Sequence, residues 1–207
     1  MFDISDVTGD AVVDADFEIP FIVSQNFLAA RRLDEWKFGF RKTGAGTMRY
    51  GGEKISFKNS NVGGYAYISY NGDTEVAEGT LQVDGDISLS DTVRVSAGAY
   101  LAGSGTINHA VFSKDAGLRV SATQPTTLHA IGTVDFADVP VIEIDSNGDL
   151  ARFNQEILKV DGSITGLENL EKAAVMVNGV RDTRGCVTCD GSSVRVSIKN
   201  GLVIFLR

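Results

Sequence analysis

Cys186-Val187-Thr188-Cys189 is the nearest approach this sequence makes to a chemical motif. A C-x-x-C pair does redox work where it opens a helix in a βαβ unit, because that setting lowers a thiol pKa. The residues around it carry no such pattern. Zinc takes four ligands. There is no second Cys pair, and His109 and His129 lie far away in sequence. The pair reads first as two cysteines at a turn, with metal and redox uses behind. Cys186 and Cys189 form a candidate disulfide if the chain is extracellular. So small a loop adds little stability in the chain-entropy picture.

Carboxylates come next. Asp145-Ser146-Asn147-Gly148-Asp149, with Glu156 beyond, supplies oxygen ligands at positions 1, 3, 5 and 12 of a calcium loop. Position 6 is Leu150, where the sharp turn needs Gly. A polar turn with a helix cap is the simpler reading, and no metal is expected. Glu143 and Asp145 share a strand face, and Asp135 is a candidate to do the same with a neighbour. Glycosidic cleavage needs paired carboxyls at a fixed separation across a cleft. Acidic residues on an outward face are more often just solvated. A lyase acting on uronates would also need a basic site. Arg31-Arg32, Arg41-Lys42, Arg181 and Arg184 are the candidates, and no motif ties them together.

The aromatic residues Trp36, Phe38, Phe40, Tyr65, Tyr67, Tyr70 and Tyr100 offer a platform for sugars. Tyr65 and Tyr67 alternate onto one strand face and are the candidate pair for carbohydrate stacking. Core packing is the commoner fate of such residues. There is no P-loop and no nucleophile elbow. Gly44-x-Gly46 lacks the third Gly and following helix of a dinucleotide site. No cofactor and no catalytic residue is expected, and the balance leans away from an enzyme.

Composition narrows the partners. The 207 residues carry 19 basic and 27 acidic side chains, a net charge of -8. Phosphate backbones call for a basic face, so nucleic acid is not an expected partner. No run is long and apolar enough for a transmembrane helix, and no membrane insertion is expected. Met1-Phe2-Asp3-Ile4-Ser5-Asp6 lacks the basic and apolar regions of a secretory signal. With 43% hydrophobic residues, a packed core is expected.

The elements that must position these groups are mostly short strands. Leu81 and Val83 share a face, as do Val93 and Val95, then Leu118 and Val120. Turn signals such as Asn71-Gly72-Asp73 and Asp84-Gly85-Asp86 separate them. Residues 1–36 read as a cap, with a short helix over 24–36. Residues 37–145 bear repeats, and 146–207 hold further coils and closing strands. Helical spacing recurs at Leu150, Phe153 and Ile157, and again at Leu167, Leu170 and Ala174. Ser193–Ile198 and Leu202–Leu206, joined at Asn200-Gly201, read as an antiparallel hairpin. A sandwich or barrel accommodates many of these features.

Three Gly-rich phrases organise the middle of the chain: Lys42-Thr43-Gly44-Ala45-Gly46-Thr47-Met48, Gly79-Thr80-Leu81-Gln82-Val83-Asp84-Gly85 and Leu101-Ala102-Gly103-Ser104-Gly105-Thr106-Ile107. Each sets a Gly-Thr pair before an apolar residue, as a turn feeding a strand requires. The spacings from Gly46 to Gly79 and from Gly79 to Gly105 are 33 and 26 residues, within the range of solenoid units. These phrases shift the balance to a parallel β-helix.

The first phrase resembles the start of the autotransporter-associated β-strand repeat. Val76-Ala77-Glu78-Gly79-Thr80-Leu81-Gln82-Val83 resembles its closing segment, and Val95 to Ile107 resembles the stretch that commonly follows. The likeness covers about residues 40–120, and one repeat is recognisable. The resemblance implies an all-β, right-handed parallel β-helix in a secreted or surface-exposed passenger protein, with no catalytic residue set. The expectation is therefore a single β-helical domain over 1–207, a fragment of a longer secreted chain, with short helical excursions and a capping N-terminal segment. Its role would be structural or adhesive, at the cell surface or outside the cell. Glycans or cell-surface ligands would be its partners, with end-to-end packing against further coils. The rival is a carbohydrate-active enzyme or binding module on the same scaffold.

Overall fold

The computed structural model describes residues 39–51, 72–148 and 150–199, and the backbone alone of 12–14, 55–59 and 64–68. The helix expected over 24–36 and most of the 1–36 cap lie outside these residues.

In chain order the first strands are β1 (Val12–Asp14), β2 (Phe40–Lys42), β3 (Thr47–Tyr50), β4 (Ile55–Asn59), β5 (Gly64–Ile68), β6 (Thr74–Val76) and β7 (Thr80–Val83). Next come β8 (Thr92–Val95), β9 (Tyr100–Ala102), β10 (Thr106–Ile107), β11 (His109–Phe112), β12 (Gly117–Ser121), β13 (Leu128–Ala130), β14 (Val134–Phe136) and β15 (Val141–Asp145). The last are β16 (Phe153–Val160), β17 (Ile164–Thr165), helix α1 (Leu167–Leu170), β18 (Ala174–Val177), β19 (Val180–Arg181), β20 (Gly185–Cys189) and β21 (Ser193–Ile198).

The described residues are all-β apart from α1. Sheet I has six strands in the order β17-β14-β11-β8-β6-β2. Sheet II has eight, β1-β3-β7-β9-β12-β15-β18-β19, and sheet III five, β10-β13-β16-β21-β20. A separate two-stranded hairpin joins β4 to β5. The chain visits the sheets in a fixed order, I then II then III, at β8-β9-β10, β11-β12-β13 and β14-β15-β16. Strands from successive visits pair parallel. On the β6-β7 visit, Asp86 bridges to Thr106 where a sheet III strand would lie. No helix among the described residues is long and apolar enough to cross a membrane.

Alternation of side chains builds the core. Met48, Leu81, Leu101, Leu118, Ile142 and Val175 are register partners one after another across sheet II. All six are at most 3% exposed. Val76, Val95, Phe112 and Phe136 form the matching file of sheet I, each fully buried. Phe112 and Phe136 stack with ring centroids 5.0 Å apart. Each such side chain contributes roughly 1.5–3 kcal/mol by leaving water. In-register parallel pairing sets like on like, so one pattern of alternation serves every strand of a file.

The Gly-Thr phrases do feed strands. Thr47, Thr80 and Thr106 begin β3, β7 and β10, and Met48, Leu81 and Ile107 behind them are buried. Thr47 and Thr80 are register partners on sheet II, whereas Thr106 belongs to sheet III. The 33-residue spacing thus joins register partners of one sheet, and the 26-residue one joins unlike places. Gly79 turns its corner at φ +64°, and a Cβ there would strike the carbonyls of Gly46 and Ala45 beneath it.

Three expectations need correction. Leu150, Phe153 and Ile157 do not make a helix, because Phe153–Val160 is strand β16. A spacing of four is even, so Phe153 and Ile157 share a face of a strand as well as of a helix. A register shift between Glu156 and Leu158 then lets Ile157 and Leu158 both turn inward. Ala174 does not extend the second helical patch. Helix α1 ends at Leu170, and Ala174 opens β18. Finally, Ser193–Ile198 is not one arm of a hairpin with 202–206. Strand β21 lies between β16 and β20 and is antiparallel to both, so its two edges are taken. Residues 202–206 lie outside the described residues.

Candidate functional site

The densest grouping of reactive side chains lies on the outer face of sheet II, over β7, β9, β12 and β15. Thr80, Tyr100, Gly117 and Val141 are successive register partners there. One step along, Arg119 is opposite Glu143, and Glu143 opposite Met176. Gly117 makes room for the phenol. A Cβ at that position would lie 2.9 Å from Cδ1 and Cε1 of Tyr100, so the ring settles over bare backbone.

Arg119 ties the group together. Its Nε donates to Asp145 Oδ2 at 2.7 Å and its Nη2 to Oδ1 at 2.9 Å, a two-pronged pairing. Its Nη1 reaches Thr80 Oγ1 at 3.4 Å. The guanidinium carbon is 6.0 Å from the centre of the Tyr100 ring. The hydrogen bonds from Arg119 to Asp145 raise the Arg119 pKa further, so the cation persists at any working pH.

Glu143 is only 6% exposed although it faces outward. Asn178 and Gly179, at φ +50° and +75°, form the two-residue turn between β18 and β19. That turn aims the Gly179 N–H at Glu143 Oε1, 2.7 Å away. Burial pushes the Glu143 carboxyl above its ordinary value, and the Gly179 N–H only partly offsets this. Burial also raises the Tyr100 phenol, helped by the Glu143 charge. The phenol is therefore a neutral donor at physiological pH. Glu143 keeps its proton to a higher pH than a solvated glutamate, while Asp145 is clamped by a cation.

The other residues singled out from the sequence are not gathered here. Cys186 and Cys189 are unpaired thiols on β20, the first exposed and the second half-buried. Three residues apart on a strand means opposite faces and about 10 Å between Cα atoms. A disulfide spans less than about 7 Å, so bonding the pair requires β20 to unwind locally. Asp145 pairs with Arg119. Ser146 is held by Asn178, which accepts its N–H at 2.8 Å and donates to its carbonyl at 2.9 Å. Among the described residues no group of His, Cys, Asp or Glu is arranged to hold a metal. Tyr65 and Tyr67 sit on β5, in register with Lys58 and Ser56 of β4. Their side chains lie outside the described residues.

The basic candidates are scattered. Arg41 faces out and pairs with Glu75 at 3.1 Å. Its neighbour Lys42 faces in and is fully buried, its ammonium donating to the carbonyls of Thr43 and Gly44. Arg184 is bound to Asp182 at 2.6 Å. Arg31 and Arg32 lie outside the described residues. No family model matches the chain. No curated protein matches it either.

Arg119 and its partner Thr80 were not apparent from the sequence as parts of one site. Arg119 carries no motif, and it meets Asp145, 26 residues on, only because β12 and β15 are neighbours. The inward turn of Lys42 had a faint signal: it continues the alternation from Phe40 through Arg41.

Proposed function

We propose that this chain is a right-handed parallel β-helix, serving as a non-catalytic structural or adhesive segment of a secreted or cell-surface protein. The observation that carries the reading is the repeated passage through sheets I, II and III with parallel pairing between successive visits. Strands stacked along an axis give continuous backbone ladders and a stiff body that displays its corners and excursions. The likeness of residues 40–120 to the autotransporter-associated repeat favours the same setting. The outer charges favour it too. Arg41 with Glu75 and Arg119 with Asp145 join neighbouring strands of one sheet, and Arg94 with Asp73 and Arg49 with Asp84 join a strand to the residue just outside a neighbouring strand. They are committed to one another across the surface. Further coils of a longer chain would pack end to end against it.

The test is protease accessibility on intact source cells, together with assays for new reducing ends and unsaturated products on a polysaccharide panel. Surface exposure with no turnover is expected. A purely internal location or any turnover overturns the reading.

One observation favours the carbohydrate-active alternative. Glu143 and Asp145 are alternate residues of one strand face, with about 6.6 Å between their Cα atoms along it, so two carboxyls are borne side by side. Turnover abolished by Glu143→Gln would establish it.

A further inference from the structure

We propose that Asn147 is a site of spontaneous succinimide formation, converting to aspartate and isoaspartate in the folded chain, while the same dipeptide at Asn178 is shielded. Asn147-Gly148 follows β15, and Asn178-Gly179 follows β18, the neighbouring strand of sheet II. The two pairs are chemically identical. In each, the carboxamide carbon of asparagine is an electrophile beside a glycine nitrogen that no Cβ hinders.

The reaction is a ring closure. The Gly148 nitrogen gives its proton to water and bonds to Asn147 Cγ. The Cγ–Nδ2 bond breaks, and that nitrogen takes up a proton and leaves as ammonia. Water then opens either C–N bond of the imide, leaving an aspartyl or an isoaspartyl residue. One water is consumed and one ammonia released, with no change of oxidation state. Closure requires the carboxamide to swing over the following nitrogen, so whatever holds either group slows it.

Asn147 is exposed, and neither its carboxamide nor the Gly148 N–H has a hydrogen-bond partner among the described residues. The Gly148 carbonyl is engaged, accepting from Ser146 Oγ at 2.7 Å. Gly148 sits at φ +142°, and a Cβ there would meet open space. Asn178 is clamped. Its Oδ1 accepts the Ser146 N–H at 2.8 Å, and its Nδ2 donates to the Ser146 carbonyl at 2.9 Å. The Gly179 N–H is held by Glu143 Oε1 at 2.7 Å. Closure at Asn178 must break the first two bonds and draw the nucleophile out of the third. Conversion of Asn147 adds a carboxylate next to Ser146, and isoaspartate adds a methylene to the main chain there.

The whole chain would be held at neutral pH, sampled over weeks, and cut after Lys and Arg. That places Asn147 in residues 120–152 and Asn178 in 173–181. Deamidation is read by mass, and isoaspartate by a carboxyl methyltransferase specific for it. In the folded chain Asn147 should convert at least about tenfold faster than Asn178, the scale set when one or two hydrogen bonds must break first. In denaturing urea the clamp is gone, and the two rates should draw together. Asn147→Gln should remove the early signal. The proposal is overturned if the ratio of rates in the folded chain is no larger than in urea, or if Asn147 does not convert in the folded chain.

Discussion

Arg119 pairs with Asp145, which lies two residues beyond its register partner Glu143 on the neighbouring strand. Arg49 repeats the relationship: its register partner is Gln82, and it pairs with Asp84, two residues on, at 2.6 Å. The same forward diagonal therefore recurs on the outer face of sheet II. Long side chains reach such diagonal neighbours readily.

The Arg119–Asp145 pair is part-exposed, at 37% and 42% for the two side chains, so its worth should be small. A double-mutant cycle of Arg119→Ala and Asp145→Ala, followed by urea unfolding, should give a coupling of about 0.5–1 kcal/mol, falling with added salt. A coupling indistinguishable from zero would mean that the diagonal pairing decorates the surface without stabilising it.

Asp84 is the better-buried member of its pair, its side chain 14% exposed. Burial alone would raise its pKa, but hydrogen bonds from Arg49, Gln82 and Ser104 outweigh that and hold it low. A carboxyl whose folded pKa is depressed contributes stability above its unfolded value of about 3.9, and loses it as pH falls through the folded one. Asp84→Asn should therefore destabilise by roughly 1–2 kcal/mol at neutral pH. In melts from pH 7 to pH 2, the gap to the parent should close at the acid end. A gap that stays constant would refute the linkage.

Glu143 has the opposite sign. Its raised pKa means that the folded state holds the proton more tightly, so stability falls as pH rises from the ordinary glutamate value toward the folded one. Glu143→Gln keeps an acceptor for the Gly179 N–H and removes the buried charge. The variant should be at least as stable as the parent at pH 7 and lose that advantage near pH 4. Marked destabilisation at neutral pH would show that the charge itself is needed.

Leu101 is fully buried between Leu81 and Leu118. Leu101→Ala should cost about 2–5 kcal/mol in urea unfolding, because a file held by neighbours above and below closes poorly around a void. A cost under about 1 kcal/mol would mean that the file relaxes freely.

Cys186 is exposed and Cys189 half-buried. A thiol reagent should modify Cys186 quickly in the folded protein and Cys189 only slowly, without prior reductant. Equal rates would contradict the placement of the two on opposite faces of β20.

Strand alternation was the most legible part of the sequence. The pairs Leu81/Val83, Val93/Val95 and Leu118/Val120 are all buried. The register between strands was not legible, since successive visits differ in length. Leu101 to Leu118 spans 17 residues, Leu118 to Ile142 spans 24, and Ile142 to Val175 spans 33, yet all four residues lie in one file. No fixed period survives such variation. The outer-face site depended on that register, so Glu143 and Asp145 were visible as a pair whereas Arg119 and Thr80 were not. Lys42 shows a different limit. A lysine beside an arginine reads as surface charge, and the carbonyls of the next turn help explain an ammonium indoors.

The reversal of direction in sheet III has a consequence for self-association. Strands that all point one way offer each incoming copy a ready mould, which is how fibrils lengthen. Beyond β16 the series is interrupted once, because β21 runs against both β16 and β20. Reversed twice, β20 points the way β16 does, so strand polarity alone does not bar a like-pointing copy from that side.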